Sequence, residues 1–188
     1  MEPVLTNCCR FEAETFRTAY KRNFRKWFIP IVGAGLLFVA GAVFEIVRYH
    51  ELFSYQPLLV LGPIIFLLGA AHFFWYAFTG VRRAVKRTVQ RLMETHQVSS
   101  YERVCRFTEA EICCESDIGG PSGQIPYSVI RRLVPYQNLI LVYTRAKQYL
   151  MLDRTRFENG AEADFWKLMN EKCPKAVPKK YRPGQPNA

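Results

Sequence analysis

Between Trp27 and Phe44 no position carries a charge, and the apolar run continues to Val47. As a helix this 21-residue stretch rises roughly 31 Å, about the thickness of a bilayer's hydrocarbon core. A second uncharged stretch runs from Leu52 to Val81, counting His72 as neutral, with "PLLVLGPIIFLLGAAHFFWYAF" (Pro57 to Phe78) as its centre. The pattern predicts two membrane spans, about 27–47 and 57–80, closed into a hairpin by "RYHELFSYQ". A cleaved signal peptide is disfavoured, because the first run starts late, exceeds the length of an h-region and is followed by no small-residue cleavage site.

Past the second span, "VRRAVKRTVQRLMETH" keeps a helical period. Val81, Val85, Thr88 and Leu92 share one face and the cations take the other, so a basic juxtamembrane helix is expected over 81–98. From Ser99 the period shortens. "YERVCRFT", "EICCES", "GQIPYSVIRRLVPY", "LILVYTR" and "QYLMLDR" are rich in β-branched and aromatic residues, and turn chemistry separates them. They read as an antiparallel meander, "GQIPYSVIRRLVPY" as one strand. "NGAEADFWKLMNEK" then predicts a terminal helix with Asn159 as N-cap and Ala161, Phe165, Leu168 and Met169 on its apolar face. The fold class is therefore α+β: a transmembrane helical hairpin (27–80) after a basic segment (1–26), and a small antiparallel β domain closed by a helix (99–173). The proline- and lysine-rich end, 174–188, is expected to be disordered.

Charge fixes an orientation. The net +10 is concentrated in residues 1–26, 82–91 and 174–188, beside the apolar runs or in the tail, while the loop between the spans holds Arg48 against Glu51. By the positive-inside rule both termini are cytoplasmic, and Trp27, Phe28, Trp75, Tyr76 and Phe78 fall where interfacial aromatics belong. Arg82, Arg83, Lys86, Arg87 and Arg91 are the candidate contacts to anionic lipid headgroups. Cations so placed need no nucleic acid to explain them.

Two close spans after a short basic segment, a basic helix, then a compact β domain ended by a helix resemble the bacterial YcxB-like membrane proteins over roughly Phe11 to Cys173. The most specific element is Ile125-x-Tyr127-x-x-Ile130-x-x-Leu133, followed by the hairpin "LILVYTRAKQYLMLDRTRF". Family members more typically carry Trp where Tyr127 stands, and an Ile-Pro-Lys type sequence where this chain has Leu152 to Arg154. The resemblance implies a pleckstrin-homology-like (PH-like) β domain and a place in the bacterial inner membrane; no activity comes with it.

The residues themselves point to binding. His50, His72 and His96 are expected in the outer loop, the second span and the juxtamembrane helix, so no nucleophile–base pairing, phosphate loop, dinucleotide fingerprint or metal spacing is visible, and neither catalytic residues nor a cofactor are expected. All six cysteines fall on the expected reducing side, the vicinal pairs are spaced poorly for zinc, and Cys113 and Cys114 point to opposite faces of a strand. Cys8 and Cys9, near the membrane, are weak candidates for acylation. In the hairpin, Gly33, Ala40 and Gly41 share a face, as do Gly62, Gly69 and Ala70, so the helices are expected to approach closely, within one chain or between copies. The expectation is a non-enzymatic module binding a protein or lipid partner in a groove between a sheet edge and the terminal helix, with Tyr127, Arg131, Arg132 and Tyr136 as its candidate surface. The alternative is an accessory subunit of a larger membrane transport or envelope complex.

Overall fold

The structure is a computed structural model and describes residues 3–52, 55–119, 123–146 and 148–183. The chain divides into two compact units: Tyr20–Lys86, and Met1–Ala19 with Arg87–Ala188.

The helical unit contains most of α1 (Ala13–Tyr49) and α2 (Leu61–His96), the latter entered through a 3₁₀ turn at Pro57–Val60. Both helices are long and apolar enough to cross a membrane, and only 11% of the most apolar window of each is buried. They pack antiparallel through aromatic rings set against glycines. Phe38 lies 5.7 Å from Phe66 and 5.3 Å from Phe73, ring to ring. A Cβ added at Gly69 would collide with the Phe38 ring, and one at Gly41 would come within 2.8 Å of Phe66. The expected glycine faces are therefore partly corrected. Gly35 and Ala42 are buried on the first helix, whereas nothing approaches Gly33 and Ala40 is exposed. The contact face runs 35, 38, 42 and 45, on the side of α1 away from 33 and 40. Replacing Gly69 with Leu overpacks this seam and is expected to cost about 1–3 kcal/mol. Thermal unfolding of the detergent-solubilised protein reads the loss, and Phe38→Ala in the same chain should recover part of it.

The β unit starts earlier than its sequence pattern implied. Residues 5–11, within the segment expected to be only a basic lead-in, form strand β1 (Leu5–Phe11). β2 (Tyr101–Phe107) pairs with it antiparallel along its whole length, from Leu5↔Phe107 to Phe11↔Tyr101. The helical hairpin is thus an insertion between two adjacent strands of one sheet. β3 (Glu111–Ser116), β4 (Gly123–Pro126) and the short β8 (Phe157–Glu158) complete a five-stranded sheet of order β4-β3-β2-β1-β8. β5 (Ile130–Tyr136), β6 (Leu139–Thr144) and β7 (Tyr149–Asp153) make a second sheet of three. The single strand expected over 123–136 is broken: a 3₁₀ turn at Tyr127–Val129, after Pro126, carries the chain from one sheet to the other.

Leu5, Phe107 and Ile112 from the first sheet and Leu133, Ile140, Val142, Leu150 and Leu152 from the second share one core with Phe165, Trp166 and Met169 of α3 (Glu162–Lys172). Val134, Leu141 and Met151, on the other face of the second sheet, are buried too. The α3 N-cap is Ala161, whose N–H donates to the Asp164 carboxylate at 3.0 Å; that bond, then Lys167, lowers the Asp164 pKa. Asn159, expected in that role, instead adopts a left-handed turn (φ 59°) two residues earlier. The expected disordered tail is ordered through residue 183. Ala176 and Val177 are buried, Leu133 N–H donates to Ala176 O, and Tyr181 stacks on Trp166 at 4.0 Å and 9°. Residues 184–188 lie outside the described ones.

Candidate functional site

The register writes the inner face of the five-stranded sheet as rows of side chains. Leu5, Phe107, Ile112 and Ile125 make an apolar row. Next come Asn7, Cys105, Cys114 and Gly123, then Cys9, Arg103 and Ser116, and finally Phe11 and Tyr101. Every second residue of each strand belongs to this face; polarity rises over the first three rows, and the aromatic rings of Phe11 and Tyr101 close it.

Asn7, fully buried, ties this face to β7. Its Nδ2 donates to Asp153 O (2.6 Å) and Arg156 O (3.1 Å), while its Oδ1 accepts from Asp153 N–H (3.1 Å). Only one orientation of the amide satisfies all three bonds.

At the polar end the two sheets leave a cavity of about 900 Å³. Arg103, Cys114, Ser116 and Gly123 line it from the first sheet, Thr144, Arg145 and Tyr149 from the β6–β7 hairpin, and Leu92 and His96 from the last turns of α2. The Arg103 guanidinium stacks 5.0 Å from the Phe11 ring and 5.7 Å from Tyr101, which fixes a cation at the wall. Ser116 Oγ is buried with no hydrogen-bond partner among the described residues. A fixed cation, a second cation at Arg145, an unmet hydroxyl and apolar walls suit a ligand with acidic and apolar parts.

A second cavity, about 710 Å³, lies against α3 where the expected groove beside the terminal helix would be. The chain's own tail forms one wall of that groove through Lys180, Tyr181, Arg182 and Pro183. Asn170 Nδ2 donates to Tyr181 O at 2.7 Å, Arg182 Nε to Val177 O at 3.0 Å, and Arg154 grips Glu162, which also accepts from Trp166 Nε1 at 2.9 Å. These groups satisfy one another, so the cavity at the sheet ends is the better candidate.

The four sequence-predicted surface residues are not brought together. Tyr127 is a core residue, a correction to its expected place: the 3₁₀ turn swings it inward, its Oη donates to Thr108 O at 2.7 Å, and burial raises its pKa. Arg131 and Arg132 are exposed at the start of β5, beside a register shift between Ile130 and Arg132. Tyr136 is half-buried at the other end of that strand, about 13 Å along from Arg132. None of the four lines the 900 Å³ cavity. Of the cations expected to meet lipid headgroups, Arg82, Lys86, Arg87 and Arg91 are exposed around the buried Val85, whereas Arg83 lies half-buried, 5.6 Å over the Tyr76 ring. Cys9 is buried, and Cys8 is half-buried with its thiol donating to Glu158 Oε1 at 3.5 Å. Among the described residues no group of three or more His, Cys, Asp or Glu is placed to hold a metal ion. Sequence reasoning missed Arg103, Ser116 and Arg145; the alternation of "YERVCRF" marks Arg103 as inward-facing only once Cys105 and Phe107 are known to be core.

Comparison with family models, with curated proteins and with solved structures finds no match.

Proposed function

We infer that the chain is an integral membrane protein whose β domain is a non-enzymatic recognition module, taking a protein partner at the cavity between its sheets. The observation that carries the membrane reading is the 11% burial of the two apolar windows. Leu36, Leu37, Phe44, Leu67, Leu68 and Phe78 are all exposed on the hairpin, an apolar surface too continuous for contact with water. Pairing of β1 with β2 supports a hairpin with both flanks on the same side of the bilayer, and the positive-inside rule favours the cytoplasmic side. Two antiparallel sheets closed by a C-terminal helix are what the resemblance to YcxB-like proteins implies for a PH-like domain, and a bacterial inner membrane is the corresponding location. Arg82, Lys86, Arg87 and Arg91 then meet anionic headgroups, each worth about 1 kcal/mol. Arg83, turned against Tyr76, contributes less.

The test is gentle extraction of the tagged full chain and quantitative mass spectrometry of what co-purifies. A stoichiometric partner reduced at least tenfold by Arg103→Glu with Arg145→Glu is the expected result. A large membrane partner retained by that double variant would favour the accessory-subunit reading instead. Recovery of further copies of the chain alone would overturn partner recognition and point to a homo-oligomer.

A further inference from the structure

The inner face of the five-stranded sheet holds a pair of thiols that partner recognition leaves unused. Cys105 on β2 and Cys114 on β3 are register partners with their Sγ atoms 3.2 Å apart. Their place in the ladder decides what the pair can become. Asp117 N–H donates to Glu102 O at one end of this strand pair, and Thr108 N–H to Glu111 O at the other. Hydrogen-bonded and non-hydrogen-bonded pairs alternate along an antiparallel ladder, so counting from either end makes Cys105 and Cys114 a non-hydrogen-bonded pair. In such pairs the Cα atoms are about 4.5 Å apart and the side chains converge. That separation lies inside the span of roughly 4.4–6.8 Å that a disulfide bridges.

The two thiols differ in access. Cys105 is fully buried, whereas Cys114 lines the 900 Å³ cavity. Across from Cys114 on β4 stands Gly123, and no described residue lies within 4 Å of where its Cβ would be, so among the described residues a gap lies beside Cys114. The hydrogen bond from Cys105, then the nearby Arg103 guanidinium, lowers the Cys114 pKa. That same bond, then burial, keeps the proton on Cys105. Cys114, the member at the cavity wall, is thus the better thiolate, and Cys105 waits behind it.

We propose that Cys105 and Cys114 form a redox-reactive dithiol at the floor of the cavity, which a hydroperoxide converts to a cross-strand disulfide. The Cys114 thiolate attacks the terminal peroxide oxygen, the O–O bond breaks, and the departing oxygen takes a proton and leaves as water from hydrogen peroxide or as the alcohol from an organic hydroperoxide. Cys114 is then a sulfenic acid. The Cys105 sulfur gives up its proton and attacks the Cys114 sulfur; the S–O bond breaks and a second water leaves. With hydrogen peroxide, two thiols and one peroxide yield one disulfide and two waters, the two electrons passing from sulfur to oxygen. A reversible bond of this kind fits a reducing compartment, where disulfides are transient rather than structural.

The experiment exposes the reduced full chain, in detergent micelles, to hydrogen peroxide, blocks remaining thiols with iodoacetamide after unfolding, and maps every cysteine by tandem mass spectrometry. A Cys105–Cys114 cross-link is expected as the main product, resolved from Cys113 by fragmentation. In Cys105→Ser the link disappears and dimedone traps a sulfenic acid on Cys114. Gly123→Val, which fills the gap on a strand position with no left-handed backbone, should slow the link several-fold. Cys105 and Cys114 still reduced while Cys8 or Cys113 is oxidised, or a Cys105–Cys113 bond as the main product, would overturn the proposal.

Discussion

A chain comprising Ser99–Cys173 alone is expected not to fold, whereas one in which residues 20–86 are replaced by a flexible Gly-Ser linker is expected to give a soluble, monodisperse β domain. The first lacks β1, which pairs with β2 on one side and β8 on the other. It therefore loses Leu5, Asn7, Cys9 and Phe11, all buried, and leaves two strand edges open. Burial of Leu5 and Phe11 alone contributes about 1.5–3 kcal/mol each. Ala176, Val177 and the Tyr181 stack on Trp166 are lost as well. A small domain is stable by about 5–15 kcal/mol in all, so these losses reach the scale of its whole stability. The second chain keeps both strands, the buried Phe16 and Ala19 of the first helical turns, and the tail. Its folding would be read by size-exclusion chromatography and amide NMR dispersion; a dispersed spectrum from Ser99–Cys173 alone would show that β1 is dispensable.

Asn7→Leu is expected to destabilise that same domain by about 3–5 kcal/mol. The replacement has similar size, so the effect isolates three hydrogen bonds, each worth about 1 kcal/mol net, together with the cost of leaving Asp153 and Arg156 one partner short, Arg156 O keeping Cys8 N–H and Asp153 O keeping Arg156 N–H. Asn7→Asp separates the roles. Its carboxylate can still accept from Asp153 N–H but faces two carbonyl oxygens to which Asn7 donates. Folding would raise the pKa of that carboxyl, so the variant is expected to be most stable when protonated at low pH and to lose stability as the pH rises through the folded-state value. Urea unfolding can be followed by Trp166, the one tryptophan left when Trp27 and Trp75 are removed with residues 20–86. A loss under 1 kcal/mol for Asn7→Leu would mean that water replaces the side chain and the two sheets are held together elsewhere.

The sequence made the helices, five of the strand-forming segments and α3 legible, because each has a local period. What escaped it depends on distant partners. "LTNCCRF" is short, holds Asn and two Cys, and stands beside a cluster of cations that draws the reading toward the membrane; its strand character comes from Tyr101–Phe107, far along the chain. "AVPKKY" looks like a polar tail because two buried residues and one stacked ring leave no period. Tyr127 sits in a run with a strand-like composition, and only the turn after Pro126 reveals that it points inward. The cavity is assembled from three separate stretches, so neither Arg103 nor Arg145 announces itself. The Cys113–Cys114 alternation was local, and the structure has Cys114 buried and Cys113 half-buried, as a strand requires.

The insertion of the helices between β1 and β2 also orders events on the ribosome. β1 is synthesised first and must wait for about 90 residues before its neighbour exists, roughly 5–18 s at 5–20 residues per second. During that wait the sheet has no centre, and on the proposed membrane reading both helices have time to enter the bilayer. If only one of them crosses, β1 and β2 end on opposite sides and the domain never assembles. On the proposed membrane reading, completion of the sheet is therefore a check on topology: a misthreaded chain would leave β1 unpaired, and only a correctly threaded one would acquire the cavity.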